Sequence, residues 1–137
     1  MDQKALRKRL AEKGLKVTSR RLLILEAITE LKHPATDEII SNIRKKNPDI
    51  ASATVYKALN VLLGKHVISR VTTEEGVSRF DAIPESHHHL YCSEINRIED
   101  YCNDELTGML RNYFKTRKIK GFRIEDFKLQ IIGKFTD

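Results

Sequence analysis

Apolar residues recur at helical spacing in the first part of the chain and predict three helices before residue 45. Gly14 is placed to end the first helix, and Thr18 is a natural N-cap for the second because its hydroxyl can accept from a backbone N–H. His33-Pro34 ends the second helix, since the residue before a proline avoids the α region, and Thr36 is expected to cap the third. The apolar faces are predicted as Ala5, Leu6 and Leu10, then Ile24, Leu25, Ile28 and Leu31, then Ile39, Ile40 and Ile43.

A fourth helix is predicted to open at Ser52 and to end near Gly64, with its apolar face at Val55, Leu59, Leu62 and Leu63. Two β-prone stretches follow, 67–73 and 77–83, and the Glu74-Glu75-Gly76 segment between them predicts a β-hairpin. Compact helices followed by a hairpin are the order of a winged helix-turn-helix. In such units the later helix enters the major groove of DNA.

Beyond Pro84 the pattern predicts a smaller mixed unit. Residues 88–92 and 97–101 are expected to form two short strands, and Asn103 is expected to cap a helix. A closing strand is predicted around Phe127, Leu129 and Ile131. About 53 residues bury only a thin core, so this unit is expected to need a partner, most simply a second copy of itself. The helix carries the stripe Leu106, Met109, Leu110, Tyr113 and Phe114.

Charge divides the chain at the same point. Residues 1–84 contain 16 Lys or Arg and 10 Asp or Glu, whereas residues 85–137 contain 9 of each. A basic first part indicates a polyanionic partner, most often nucleic acid, although Lys and Arg also simply solvate helix faces. No apolar run approaches the length of a membrane span, and no signal peptide is evident, so we expect a cytoplasmic protein without a membrane partner.

Histidines gather near Pro84. In an extended His87-His88-His89 run, His87 and His89 share one face while His88 points the other way. Asp81 lies shortly before this run, and Asp100 lies on the strand expected to pair with it. Nitrogen and oxygen donors without thiolate favour Fe²⁺, Mn²⁺ or Zn²⁺. The alternative is that the histidine run is only the polar beginning of a strand and binds no metal.

Four spaced motifs resemble those of the ferric uptake regulator family, and the resemblance extends from about Leu15 to Lys134. It implies an α+β fold, with a winged-helix DNA-binding domain in residues 1–83 and a small α/β dimerisation and metal-sensing domain in residues 84–137. It further implies a metal-dependent homodimeric repressor of transcription, not an enzyme, which binds a palindromic double-stranded DNA operator. The motifs are the segments 33–39, 53–59, 78–81 and 87–92, which read HPATDEI, ATVYKAL, SRFD and HHHLYC.

Carried over residue by residue, the resemblance implies a regulatory metal site. Its aspartates resemble the peroxide-sensing branch of the family more than the iron-sensing one. That branch implies Fe²⁺ or Mn²⁺ at the site, with Zn²⁺ possible in vitro, and oxidation of the histidine at position 33 or 87 by peroxide. An iron-level sensor of the same family is the alternative, and a non-haem iron enzyme is the alternative from another class. The implied ligands are His33, Asp81, His87, His89 and Asp100.

The sequence departs from the family at its usual structural zinc site. Cys92 matches the first cysteine of the usual C-x-x-C pair, but Ile95 stands in place of its partner. We therefore expect no structural zinc, and we expect Cys92 and Cys102 to be core residues unless either serves as a redox sensor. A residual second metal site would draw on His88, Glu105 and Asp126.

The exposed face of the fourth helix is the predicted reader of DNA. Lys57 can contact a phosphate or a guanine edge, and Tyr56 can pack on a thymine methyl group or a phosphate. Lys16, ahead of the second helix, and Arg20 and Arg21, in its first turn, are expected to contact phosphates, which position a protein on DNA without specifying sequence. The predicted DNA-binding residues are Lys16, Arg20, Arg21, Ser52, Thr54, Tyr56, Lys57 and Asn60.

Overall fold

The structure is a computed structural model that describes residues 2–73, 76–82 and 87–136. The chain divides into two compact units, Met1–Pro84 and Glu85–Asp137. The predicted domain boundary at Pro84 and the first two residues of the predicted hairpin turn, Glu74 and Glu75, lie outside the described residues. No helix within the described ranges has the length and hydropathy needed to cross a membrane.

The first unit is a helical bundle with a two-stranded wing. Its helices are α1 (Gln3–Glu12), α2 (Ser19–Leu31), α3 (Thr36–Arg44) and α4 (Ser52–Gly64). The wing pairs β1 (Ser69–Thr72) with β2 (Ser78–Asp81) in antiparallel register. One apolar core joins all four helices to the wing, and its fully buried members include Leu10, Ile24, Leu25, Ile39, Val55 and Leu62.

A side-chain cap fixes the start of α2 but not that of α3. Thr18 caps α2 as predicted, because its hydroxyl accepts the Arg21 N–H at 3.2 Å. The predicted cap of α3 is wrong by one residue. Ala35 occupies the N-cap position with extended backbone, and Thr36 is the first helical residue. Ala35 has no acceptor in its side chain. The start of the helix is supported instead by the Glu38 carboxylate, which accepts the Ala35 N–H at 3.1 Å.

The second unit is a three-stranded sheet with one helix. Strands β3 (His88–Cys92) and β4 (Arg97–Tyr101) match the predicted ranges and pair antiparallel. Helix α5 (Asp104–Thr116) starts at the predicted cap, where Asn103 accepts the Leu106 N–H at 3.0 Å. The closing strand β5 is shorter than predicted, Gln130–Ile132, and it pairs in parallel with β3.

Candidate metal centre and nucleic-acid surface

In the first unit, His33 and Asp81 lie together at the base of the wing. The Phe80 N–H donates to the Pro34 carbonyl at 2.9 Å, which holds the segment after α2 against β2. His33 Nε2 consequently lies 3.8 Å from Asp81 Oδ2, and both side chains are more than nine-tenths buried. Two donors that are each about 2.1 Å from one ion are at most about 4.2 Å apart, so this spacing suits a shared metal.

In the second unit, the register of β3 against β4 gathers three donors. His89 stands opposite Asp100, as the sequence predicts, and His87 shares the face of His89 by strand alternation. Asp100 Oδ1 lies 3.1 Å from His87 Nε2 and 3.5 Å from His89 Nε2. The two imidazoles are buried, and the carboxylate is partly exposed. Three donors at this spacing can chelate one divalent ion from one side.

His88 faces away from these donors and has a different role. Its Nδ1 accepts the Leu129 N–H at 3.0 Å, and its Nε2 lies 2.8 Å from the Thr107 hydroxyl. Both ring nitrogens are therefore used within the unit, which indicates the neutral tautomer with the proton on Nε2. Among the described residues, neither Glu105 nor Asp126 belongs to a group with metal-ligand spacing. The structure thus gives no support to the residual second site.

The cysteines divide between core and surface. Cys92 is buried at the end of β3, as expected, whereas Cys102 is exposed, so its expected place in the core is wrong. Cys102 follows the last residue of β4 and precedes Asn103, the cap of α5. The expected absence of a structural zinc stays a prediction.

The predicted DNA-reading face lies on the surface of the first unit. Tyr56, Lys57 and Asn60 are exposed along α4, and Thr54 is half-buried beside them. Two other predicted residues have structural partners: the Ser52 hydroxyl accepts from Arg44 at 3.1 Å, and Arg21 donates to the Lys16 carbonyl at 2.8 Å.

A groove runs between the start of α2, the loop before α4 and α4 itself. Its lining includes the predicted residues Arg20, Arg21, Thr54 and Lys57. It also includes Lys46, which is not among the predicted residues although a Lys45-Lys46 pair precedes the Asn47-Pro48 loop signal. A concave surface lined by several cations on a winged-helix unit suits the phosphate backbone of DNA.

Known proteins similar to this chain are regulators of one family. The model of the ferric uptake regulator family matches residues 12–132. The peroxide operon regulator of Bacillus subtilis (strain 168) is 29% identical over 125 residues, which cover 90% of this chain and 84% of that protein. The ferric uptake regulation protein of the same strain is 28% identical over 134 residues, which cover 93% and 88%.

Solved structures share the fold. The ferric uptake regulator of Vibrio cholerae has a TM-score of 0.74 at 26% identity and covers 94% of this chain and 98% of its own. The regulator of Francisella tularensis, solved with iron, has a TM-score of 0.72 at 24% identity and covers 89% and 92%. That of Pseudomonas aeruginosa, solved with manganese, has a TM-score of 0.75 at 21% identity and covers 96% and 98%.

Proposed function

This chain belongs to the ferric uptake regulator family, whose members are metal-responsive, dimeric, DNA-binding regulators of transcription and not enzymes, and from this premise we propose how it works. One Fe²⁺ or Mn²⁺ ion joins the donors of the first unit to those of the second. The metal-loaded homodimer then binds a palindromic double-stranded DNA operator and represses transcription. Such a regulator acts in the cytoplasm, where the chromosome is.

The observation that carries this proposal is the split of the donors between the two units. His33 and Asp81 belong to the first unit, and His87, His89 and Asp100 belong to the second. Two donors or three leave a divalent ion incompletely coordinated, whereas five nearly complete its coordination. Imidazole and carboxylate without thiolate fit Fe²⁺, Mn²⁺ or Zn²⁺, so these residues suit the metals of the family.

Shared ligands explain how a metal could control DNA binding. The bound ion supplies a positive charge that compensates the buried carboxylate of Asp81 and the carboxylate of Asp100. Binding favours whichever arrangement of the two units presents all five donors, so metal shifts a pre-existing equilibrium. In a dimer, the fixed arrangement sets the distance between the two α4 helices, which has to match two half-sites of the operator.

The contacts to DNA follow from the charge and exposure of the first unit. We assign Tyr56, Lys57 and Asn60, which are exposed along α4, to contacts with DNA in the major groove, with Thr54 beside them. The groove cations Arg20, Arg21 and Lys46, together with Lys16 and Ser52, are assigned to the phosphate backbone, and Lys57 to a phosphate or a guanine edge. We assign dimerisation to the second unit, because α5 has no buried residue and carries exposed Met109 and Tyr113.

We favour peroxide as the signal over the level of iron. Both proposed carboxylate ligands, Asp81 and Asp100, are aspartates, as in the peroxide-sensing branch, and not the longer glutamates of the iron-sensing branch. The peroxide operon regulator is also among the similar proteins. When Fe²⁺ is bound it supplies the reducing centre that peroxide requires. One peroxide oxygen would be added to a ring carbon of the His33 or His87 imidazole and the other would leave as water. The oxidised ring would no longer be a metal ligand, and the affinity for DNA would fall.

The experiment is a titration of a DNA duplex enriched from a random-sequence pool by the Mn²⁺-loaded protein. At fixed salt we expect Mn²⁺ or Fe²⁺ to raise the DNA affinity by roughly 5- to 150-fold over the metal-free protein, the usual range of such coupling. Peroxide should lower the DNA affinity of the Fe²⁺ form to that of the metal-free protein and leave the Mn²⁺ form unchanged. The peptide containing His33 or His87 should gain the mass of one oxygen atom.

Equal affinity with and without metal would overturn the regulatory proposal as a whole. Metal-dependent binding that peroxide leaves intact, with no added oxygen on either peptide, would instead favour the iron-level sensor. Repeated turnover of an oxidisable substrate by the Fe²⁺ form would contradict its assignment as a regulator without enzymatic activity.

A further inference from the structure

The segment between α2 and α3 holds His33 on a strained backbone. Lys32 and His33 are consecutive residues with φ of 52° and 49°, in the left-handed region that side chains other than glycine rarely adopt. Neither residue is a glycine, so the surrounding structure has to impose this conformation. The strain lies at one of the residues that we assign to the metal.

Two charged side chains hold this segment, and neither is a proposed ligand. Arg79 donates from Nη1 to the His33 carbonyl at 3.1 Å. The same nitrogen lies 3.4 Å from Glu38 Oε1, and Glu38 Oε1 also accepts the Ala35 N–H at 3.1 Å. The carboxylate and the guanidinium therefore contact the peptide groups on both sides of Pro34.

The rest of the wing contact does not depend on these side chains. The Phe80 N–H bonds to the Pro34 carbonyl, and Ala35 forms a bridge with Arg79 through the backbone. Loss of either charged side chain leaves these backbone contacts in place. What the Arg79 side chain adds to this contact is its bond to the His33 carbonyl.

We propose that Arg79 and Glu38 are positioning residues for the metal ligand His33, an inference that rests on the proposed function. They hold the His33 peptide in its left-handed conformation, so that the imidazole lies beside Asp81 before an ion binds. Without them the peptide relaxes towards an ordinary backbone conformation, and the ring leaves the position that the metal requires. Partners of this kind typically change metal affinity by about 10- to 100-fold.

Mn²⁺ titration calorimetry on the full chain tests this. Glu38→Ala and Arg79→Met should each weaken Mn²⁺ binding by about 10- to 100-fold. Glu38→Gln should restore binding to near the wild-type value, because the amide oxygen can still accept from both Ala35 and Arg79. The visible absorption of bound Co²⁺ should shift in the two weakened variants towards the spectrum of His33→Ala, and should stay as in wild type for Glu38→Gln.

A matched control separates positioning from stability. Thr18→Ala removes the side-chain cap of α2 in the same unit, so it lowers the melting temperature without touching the His33 segment. We expect Thr18→Ala to keep wild-type Mn²⁺ affinity and the wild-type Co²⁺ spectrum. Melting temperatures of all variants without metal confirm that each one is folded.

Wild-type affinity and an unchanged Co²⁺ spectrum in Glu38→Ala and Arg79→Met would overturn the inference and leave the proposed function intact. A loss in Thr18→Ala as large as in those two variants would also overturn it, because the cause would then be general destabilisation. Absence of Mn²⁺ binding to the wild-type chain would overturn the inference and the proposed function together.

Discussion

Asp100 links two imidazoles through a single oxygen atom. That oxygen lies 3.1 Å from His87 Nε2 and 3.5 Å from His89 Nε2, whereas the neighbouring Glu99 contacts Arg97. Strand alternation and pairing made this trio predictable, since residues two apart share a face and opposite residues pair across strands. The surroundings of His33 were not predictable, because its left-handed backbone and the bond from Arg79 depend on residues 46 positions apart.

Lys57 tests the assignment of the DNA surface at the same scale. It is exposed on α4 and lines the groove, so Lys57→Ala should leave the melting temperature unchanged. If Lys57 contacts a phosphate, the variant should weaken binding of the enriched duplex and reduce the slope of log affinity against log salt by about one. Fluorescence anisotropy at several salt concentrations measures both quantities.

Lys8→Ala is the matched control for this measurement. Lys8 is an exposed lysine on α1 that pairs with Glu12 at 3.8 Å, and it does not line the groove. It should keep the wild-type affinity and slope. An unchanged salt slope in Lys57→Ala would show that Lys57 does not contact a phosphate. A loss of DNA affinity no larger than that of Lys8→Ala would show that the effect of Lys57 is only that of net charge.

The helices and strands show which signals in the sequence are strong. Thr18 and Asn103 both cap helices as predicted, and β3 and β4 keep their predicted ranges, because caps and adjacent strands are set by neighbours in sequence. The predictions that fail have a local cause at α3, where Glu38 lies three residues after Ala35, and a distant one at β5. Glu38 and the wing backbone place the start of α3, and β5 is limited to the three residues that pair with β3.

Helix α5 presents an apolar face that its own unit does not cover. Met109 is 64% exposed and Tyr113 is 54% exposed, although their spacing is that of a core-facing stripe. An exposed patch of this kind on a small unit indicates a protein interface. If a second copy covers it, Met109→Glu should convert the dimer to a folded monomer, because a charge would be buried without a partner at the interface.

Light scattering after size-exclusion chromatography measures the molar mass and so distinguishes dimer from monomer. Lys115→Glu is the control, since it also adds negative charge to the exposed surface of α5 but removes no apolar side chain, and it should stay dimeric. A Met109→Glu variant with the mass of the wild-type dimer would exclude this face from the interface. A monomeric wild type would contradict the proposed homodimer.

At the scale of the whole molecule, the distribution of charge and that of the proposed metal donors both follow the division of the chain into two units. The excess of basic over acidic residues lies in residues 1–84, the winged-helix part, and the remainder is neutral. Donors lie on both sides of the unit boundary, so a shared ion offers a way to make DNA binding depend on metal. The sequence indicated the two units through charge and pattern. The set of five donors came from the family resemblance and not from spacing alone.

The central claim is that one ion is held by both units, and Mn²⁺ titration calorimetry tests it most directly. We predict one Mn²⁺ per chain in the wild type. Asp81→Asn in the first unit and His89→Gln in the second should each weaken binding by at least about tenfold. Glu99→Gln, which removes the carboxylate next to Asp100, should keep wild-type affinity. The contradicting result is wild-type affinity in Asp81→Asn together with loss of binding in His89→Gln, because the second unit would then hold the ion alone.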